Sequence, residues 1–325
     1  MKSLPLLLSS ALLSVSAATY AASPSEHQAF IEEWQVKGVN PQVLQQALEQ
    51  AKKQPKIIEA ITRPWEAKPW YQYRQLFLTD ARINQGVDFL EKNESALAKA
   101  SAQYGVPMEV ITAIIGVETS YGRNMGSWKV LDALYTLGFY YPRRATFFRK
   151  ELGHFIELSQ EQGWPLTQPL GSYAGAMGLG QFIPSSYQAY AVDFDGDGKR
   201  DLFSNTDDAI GSVANYFAKH HWQTGKAVEQ AVNVSNDDAV KALLWTGKKL
   251  DTSAAQLRQA GVQLSNENGA QLSLLKLEVA ENQWQYYVIH PNFYTITRYN
   301  RSPLYAMAVW QLSQEILAKK QRNSQ

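Results

Sequence analysis

The chain has no cysteine. That excludes disulfides, a thiol nucleophile and a lipid-modified N-terminal cysteine. It also has almost no net charge, +1 over 325 residues, so no basic field points to nucleic acid and no acidic excess marks a solvating tail. Past the N-terminal stretch there is no apolar run long enough to span a bilayer. Internal repeats, low-complexity segments and a Gly-x-Ser-x-Gly nucleophile elbow are missing as well. His220 and His221 are adjacent, so they project differently from a helix and lack the spacing of a zinc site. What remains is ordinary globular chemistry: at 45% hydrophobic and 19% charged residues the chain can bury a sizeable core, with length for two or three cooperating domains.

The N-terminus reads as an export signal over residues 1–21. Lys2 supplies a weak positive start and Leu4 to Ala18 an apolar stretch too short for a comfortable membrane span. Small residues at Ser16 and Ala18, or Thr19 and Ala21, offer cleavage sites. The expectation is a soluble, exported, periplasmic protein. Its 17 Tyr and 9 Trp belong mostly to core and interfaces, with room for several to line a groove, since apolar sugar faces stack well on aromatic rings.

Helical periodicity dominates. Phe30, Ile31, Trp34 and Val36, then Val43, Leu44, Ala47 and Leu48, recur at helical spacing, and Asn40-Pro41 is a cap followed by a first-turn proline. Further helices are expected over 83–91, 95–104, 130–137, 143–162, 207–220 and 303–319. The Gly105-Val106-Pro107 break starts another that runs toward Glu118. Within 227–289 the period changes to two: Leu275, Lys276, Leu277, Glu278 and Val279 alternate, and 284–289 forms a second β-branched and aromatic run across a short loop. The chain is therefore mainly α (α+β), with a small β-containing insertion.

Glu118 is the most informative residue. It ends the apolar run Val110, Ile111, Ile114, Ile115, Val117 and precedes Gly122, a residue able to stop the helix. A carboxyl set in an apolar wall keeps its proton to higher pH, the state a general acid needs near neutrality. The bland alternative is a helix-terminal glutamate pointing into water. No second comparable carboxylate lies near it in sequence, which restricts the glycosidic chemistry open to it.

Three other segments stand out. Gly171 to Phe182 is dense in glycine, without the lysine or strand–loop–helix setting of a phosphate cradle. Ser172, Gln181 and exposed backbone groups instead suit sugar hydroxyl and acetamido groups, unless the run is only a packing turn. Asp193, Asp195 and Asp197, with Gly198 at the sixth position, reproduce the start of an EF-hand calcium loop. The twelfth position is Ser204 rather than glutamate, leaving Asp207 or Asp208 as the late carboxylate. Asn292 to Tyr305 interleaves polar and aromatic residues and, taken alone, reads as a strand leading into a helix.

Taken together these segments resemble the lytic murein transglycosylase B family (glycoside hydrolase family 103). The carriers are Gly116-Val117-Glu118-Thr119, Tyr141-Pro142-Arg143-Arg144, Gly175-Ala176-Met177-Gly178 with Gln181-Phe182-Ile183-Pro184-Ser185-Ser186, and Asn292 to Asn300 with Tyr305. They extend from about Trp70 to Leu312. The resemblance implies a lysozyme-like helical core (101–226 and 290–302, with the EF-hand-like loop 193–208), an additional α domain (22–100, with the C-terminal helix 303–320 packing nearby) and a small β-containing domain (227–289). It implies Glu118 as the single acid/base and Tyr73, Arg143, Arg144, Ser172, Gln181, Asn300 and Tyr305 along a glycan groove. Structural calcium on Asp193, Asp195, Asp197, the Lys199 carbonyl and Asp208 is implied too, with no organic cofactor. Lacking cysteine, the chain is similar to the soluble rather than the lipid-anchored members. The Asp207-Asp208 pair sits one residue long against the family loop.

The activity so implied is cleavage of the β-1,4 bond between N-acetylmuramic acid and N-acetylglucosamine in peptidoglycan glycan strands, by a monomer, with other cell-wall enzymes as further partners. Hydrolases of such bonds use two carboxyl groups, whereas one suffices when the substrate's own hydroxyl is the nucleophile and a 1,6-anhydro sugar forms. The competing readings are a hydrolytic muramidase and a non-catalytic peptidoglycan-binding protein.

Overall fold

The computed structural model describes residues 24–63, 68–264, 269 and 271–323; the expected export signal lies outside them. Among the described residues no helix is long and apolar enough to cross a membrane.

The architecture is mainly helical with two small sheets. At its centre runs the helix Met108–Thr119, buried on every side by Val110, Ile111, Ala113, Ile114, Ile115 and Val117. Pro107 starts it, where the missing N–H costs nothing. The helices Asp80–Lys92, Glu94–Tyr104, Thr206–Lys219 and Pro303–Asn323 enclose it. An all-round apolar helix is stable only when enclosed in this way, and each fully buried Ile contributes roughly 1.5–3 kcal/mol.

The first helices dock elsewhere, on the antiparallel pair Val130–Tyr140 and Ala145–Gln162. Asn40 caps Pro41–Gln50 by accepting from the Gln42 N–H at 2.8 Å, as its sequence predicts. Trp34 packs so closely on Gly153 that a Cβ there would lie 1.7 Å from the indole. The buried Asp132 then fastens the following loop, accepting from Lys52 N–H at 2.9 Å and Gln54 Nε2 at 3.0 Å.

The insertion forms a three-stranded antiparallel sheet in the order Glu229–Val232, Gln283–Ile289, Ser273–Ala280. Its two faces belong to different cores. Leu274, Tyr286 and Val288 join Val232, Val240 and Leu257 in a separate cluster, while Leu275, Leu277, Tyr287 and Ile289 face the helical body. This is the alternation of a pleated strand with both faces covered.

The sequence expectation of a strand after the insertion fails. Residues Pro291–Tyr299 form a helix, not a strand. Pro291 occupies its first turn, and Asn292, Phe293 and Ile296 fall on one buried face at helical spacing. Asn292 also ties together the two crossings into the insertion. Its Oδ1 accepts from Gln223 N–H at 2.7 Å, and its Nδ2 donates to the carbonyls of Gln223 and Lys226 at 2.9 and 3.0 Å.

Candidate active site

Glu118 sits in the last turn of the central helix, half-buried. Gly122 does not end this helix, contrary to the sequence expectation. Ser120 does, in the left-handed region at φ 51°, its N–H still bonded to Gly116 and Ile115 carbonyls. Tyr121 follows at φ 62°. Two successive left-handed non-glycine residues are costly and persist only where the surroundings hold them. Here the holders are visible. The Tyr121 hydroxyl donates to Arg82 O at 3.0 Å, the Arg82 guanidinium donates to Gly116 O at 2.7 Å, and Thr119 Oγ1 accepts from Gly122 N–H at 2.9 Å while lying 3.0 Å from Leu179 O.

Tyr305, buried in the first turn of the C-terminal helix, donates its hydroxyl to Glu118 Oε1 at 2.5 Å. Burial pushes the Glu118 carboxyl up from 4.5 to about 7, with the Tyr305 hydrogen bond pulling the other way. The Tyr305 phenol is itself raised well above its ordinary value, first by burial and then by the Glu118 charge, with Tyr299 and Tyr73 adding to it. It remains a donor throughout the physiological range. Tyr73, at the end of the short helix Trp70–Tyr73, is buried beside Trp70 and Phe77 at ring separations of 6.3 and 5.3 Å.

Tyr299 is a residue the sequence reading did not single out. Its hydroxyl donates to Gly180 O at 2.6 Å, and burial followed by the Glu118 charge keeps it protonated. It thus ties the glycine-dense loop to the Pro291–Tyr299 helix, within electrostatic reach of the carboxyl. No local pattern could have marked it, because its role depends on a contact 119 positions away.

In that loop Gln181 adopts φ 50° and its Nε2 donates to Met125 O at 3.1 Å and Gly178 O at 3.0 Å, which turns its amide oxygen into the free acceptor among the described residues. Ser172 Oγ accepts from the N–H groups of Ala174 and Ala176 at 3.2 and 3.0 Å, leaving its own proton to donate. The remaining expected groove residues are exposed and make no hydrogen bond or ion pair with Glu118 among the described residues. Arg143 and Arg144 lie on the turn Pro142–Arg144, with Arg144 over Phe147 at 4.3 Å. Asn300 closes the Pro291–Tyr299 helix and accepts from Ser302 N–H at 3.0 Å.

The acidic loop brings three of its expected ligands together: carboxylate oxygens of Asp193, Asp195 and Asp197 lie within 4.8 Å of one another. Gly198 makes the turn at φ 87°, a conformation open to glycine at no steric cost. Lys199 occupies the next position, its N–H donating to Asp197 Oδ1 at 2.8 Å. Ser204 at the twelfth position turns away, its hydroxyl and N–H both donating to Asp201. Asp208 is fully buried outside the trio and accepts from Phe194 N–H at 2.7 Å and Asp201 N–H at 2.8 Å, one with each oxygen. The donor set is all hard oxygen, the chemistry calcium requires.

The family described as "Transglycosylase SLT domain" matches residues 22–314. The chain is 45% identical over 311 residues to the membrane-bound lytic murein transglycosylase B of Escherichia coli (strain K12), covering 91% of this chain and 84% of that one. It superimposes on soluble lytic transglycosylase SltB1 of Pseudomonas aeruginosa with a TM-score of 0.84 at 45% identity, over 90% of this chain and 99% of the other. Against the Escherichia coli lytic transglycosylase Slt35 in complex with calcium, the TM-score is 0.81 at 41% identity, over 94% and 98% of the two chains. The lysozyme-like helical fold expected from sequence is the fold of these structures. This chain belongs to their family, the lytic murein transglycosylases, which cleave peptidoglycan.

Proposed function

We propose that Glu118 is the only acid/base of the reaction. In its neutral form it protonates the oxygen joining N-acetylmuramic acid to N-acetylglucosamine. The muramyl 2-acetamido group stabilises the oxocarbenium-like centre. Ionised Glu118 then takes the proton from the muramyl C6 hydroxyl as that oxygen closes onto C1, giving a 1,6-anhydro sugar without water. One observation carries this reading. The Glu118 carboxyl is buried in the last turn of the central helix and bonded by the Tyr305 hydroxyl, and no second carboxylate's charge bears on it among the described residues, an arrangement that fits a reaction with its nucleophile on the sugar. Tyr73, Arg143, Arg144, Ser172, Gln181, Asn300 and Tyr305 line the glycan groove in this reading, with Tyr299 bracing it. The core is 101–226 with 290–302, and the 227–289 insertion walls one side. The substrate and the apolar N-terminus fit a periplasmic location.

Mass analysis of the muropeptides released from purified peptidoglycan tests the reaction. Anhydro ends are expected. Reducing ends, with one water gained per cut, would overturn it in favour of a muramidase.

Protonated Glu118 starts the cycle, so kcat/KM falls as pH rises through about 7. Tyr305 lowers this pKa by donating to the ionised form. In Tyr305→Phe the alkaline fall therefore moves to higher pH, and kcat drops about tenfold because the carboxylate forming in the transition state loses a donor. An unmoved limb would show that the hydroxyl does not act on Glu118.

The Asp193, Asp195 and Asp197 carboxylates and the Lys199 carbonyl hold a structural Ca2+ in this reading, with a late carboxylate from the Asp207-Asp208 pair. Asp207 has no partner for its carboxylate among the described residues, whereas both Asp208 oxygens are engaged. Chelation with EDTA should lower the Tm by about 5 °C and added Ca2+ should restore it. An unchanged Tm would rule out an occupied, stabilising site.

A further inference from the structure

His220 takes no part in the chemistry assigned to Glu118, yet it is firmly seated. It follows the last turn of the Thr206–Lys219 helix, half-buried, its N–H bonded to the Tyr216 carbonyl at 3.0 Å and its own carbonyl accepting from Thr295 Oγ1 at 3.0 Å. The imidazole lies 4.2 Å from the Tyr216 ring and 5.2 Å from that of Tyr190, at the end of the helix Pro184–Tyr190. Its Nε2 is buried and has no hydrogen-bond partner among the described residues. A neutral imidazole tolerates that, since its proton can stay on Nδ1. An imidazolium does not, because both nitrogens then carry hydrogens and the one on Nε2 has no acceptor. No anion faces the ring among the described residues. The charged and titratable groups around it are Arg298 on the Pro291–Tyr299 helix, the adjacent His221 and the phenols of Tyr190 and Tyr216. Burial, then Arg298 and His221, hold the ring below its ordinary value of 6.5.

The rings on which His220 rests lead to the glycine-dense loop. The Tyr216 hydroxyl donates to Arg298 O at 2.5 Å, and the Tyr216 ring lies 4.7 Å from that of Tyr299. Tyr299 holds the carbonyl of Gly180, the residue before Gln181, and Phe182 rests on both phenol rings at 5.7 and 5.8 Å. Packed side chains of this kind pass a displacement along, because a close-packed interior leaves little room to absorb it. We propose that His220 is a positioning residue for the reaction: its neutral ring seats Tyr216 against Tyr299 and so fixes Gly180 and Gln181, and a proton on Nε2 unseats it. Chemistry with Glu118 as the single acid/base starts from the protonated carboxyl and gives kcat/KM no cause to fall in acid. His220 gives it one. For the effect on rate, the inference rests on the placement of Gln181 in the glycan groove proposed above.

The first test uses the wild-type protein and needs no substitution. Its His220 Cε1–H and the Gly180 and Gln181 amides are followed by NMR as the pH is lowered, at a temperature where the fold is intact. The amides should titrate with the same midpoint as the ring, below 6.5. On soluble glycan strands kcat/KM should fall about tenfold per pH unit beneath that midpoint, the slope of one proton. Arg298→Met removes the neighbouring cation and keeps an unbranched side chain, so ring, amides and acid limb should all move to higher pH. His220→Gln cannot take the proton. Its amide titration and acid fall should both disappear, with the alkaline fall set by Glu118 left in place. Amides that ignore the ring's titration, or an acid fall that persists in His220→Gln with its midpoint unchanged, would overturn the proposal. If the amides follow the ring while kcat/KM stays level in acid, the link from His220 to the loop stands and Gln181 is not a sugar contact.

Discussion

Replacing Glu118 by glutamine should cut the release of soluble muropeptides at least about a thousandfold, while making the protein harder to unfold at alkaline pH. The first effect follows from removing the proposed proton donor: general acid catalysis contributes on the order of 10²–10⁴ in rate, and glutamine can neither give a proton to the leaving oxygen nor take one from the C6 hydroxyl. The second follows from linkage. The carboxyl titrates at 4.5 unfolded and about 7 folded, so the native state binds its proton more tightly than the unfolded chain does. The native state suffers no penalty from Glu118 below pH 4.5. A penalty grows between 4.5 and about 7 and is constant above, reaching at most about 3 kcal/mol. Glutamine is neutral at every pH and can still accept from Tyr305. Melting curves of the two proteins should therefore coincide near pH 4, with the variant melting higher at pH 8. Parallel curves at all pH values would mean that Glu118 is not held neutral by burial. A variant as active as wild type would remove it from the chemistry altogether.

The sequence made Glu118 visible because the cause of its unusual pKa is local: apolar residues at Val110, Ile111, Ile114, Ile115 and Val117 bury the helix that carries it. The helices were legible for the same reason, as periodicity and caps such as Asn40 act within a few residues. The Pro291–Tyr299 segment was not. Its polar residues are buried, and Asn292 and Thr295 bond backbone groups of Gln223 and His220 far along the chain, while Thr297 donates to the Tyr294 carbonyl three residues before it. Tyr299 and the Arg82–Tyr121 brace are hidden likewise, since they act by reaching a carbonyl far along the chain. The family resemblance supplied residue names there, but only the structure shows that Ser172 and Gln181 spend most of their hydrogen bonds holding the loop.

The glycine-dense loop has a second role that its composition conceals: its glycines admit neighbouring protein. Gly178 lies at φ 70°, and a Cβ there would stand 2.4 Å from Leu202 O and 2.9 Å from Leu202 C, both backbone atoms that cannot swing aside. Across the same contact Leu179 N–H donates to Leu202 O at 2.8 Å, and the Gly178 carbonyl receives both the N–H and the Nε2 of Gln181, at 3.1 and 3.0 Å. Gly178→Ala must therefore push the acidic loop away from the groove loop and loosen Gln181 together. We expect a stability loss of about 3 kcal/mol, about 1 from left-handed strain and the rest from overpacking, read as a fall in Tm of roughly 6–10 °C. Activity at a temperature where the variant is still folded should fall about tenfold if Gln181 holds the sugar as proposed, because its displaced amide oxygen no longer meets the substrate. Gly163→Ala isolates the strain component. That residue has φ 68° but nothing within 4 Å of where an alanine methyl would sit, so about 1 kcal/mol and unchanged activity are expected. If the two substitutions cost the same, the Leu202 contact is not what fixes the loop; if Gly178→Ala loses stability but keeps full activity, Gln181 is not held for the substrate by this contact.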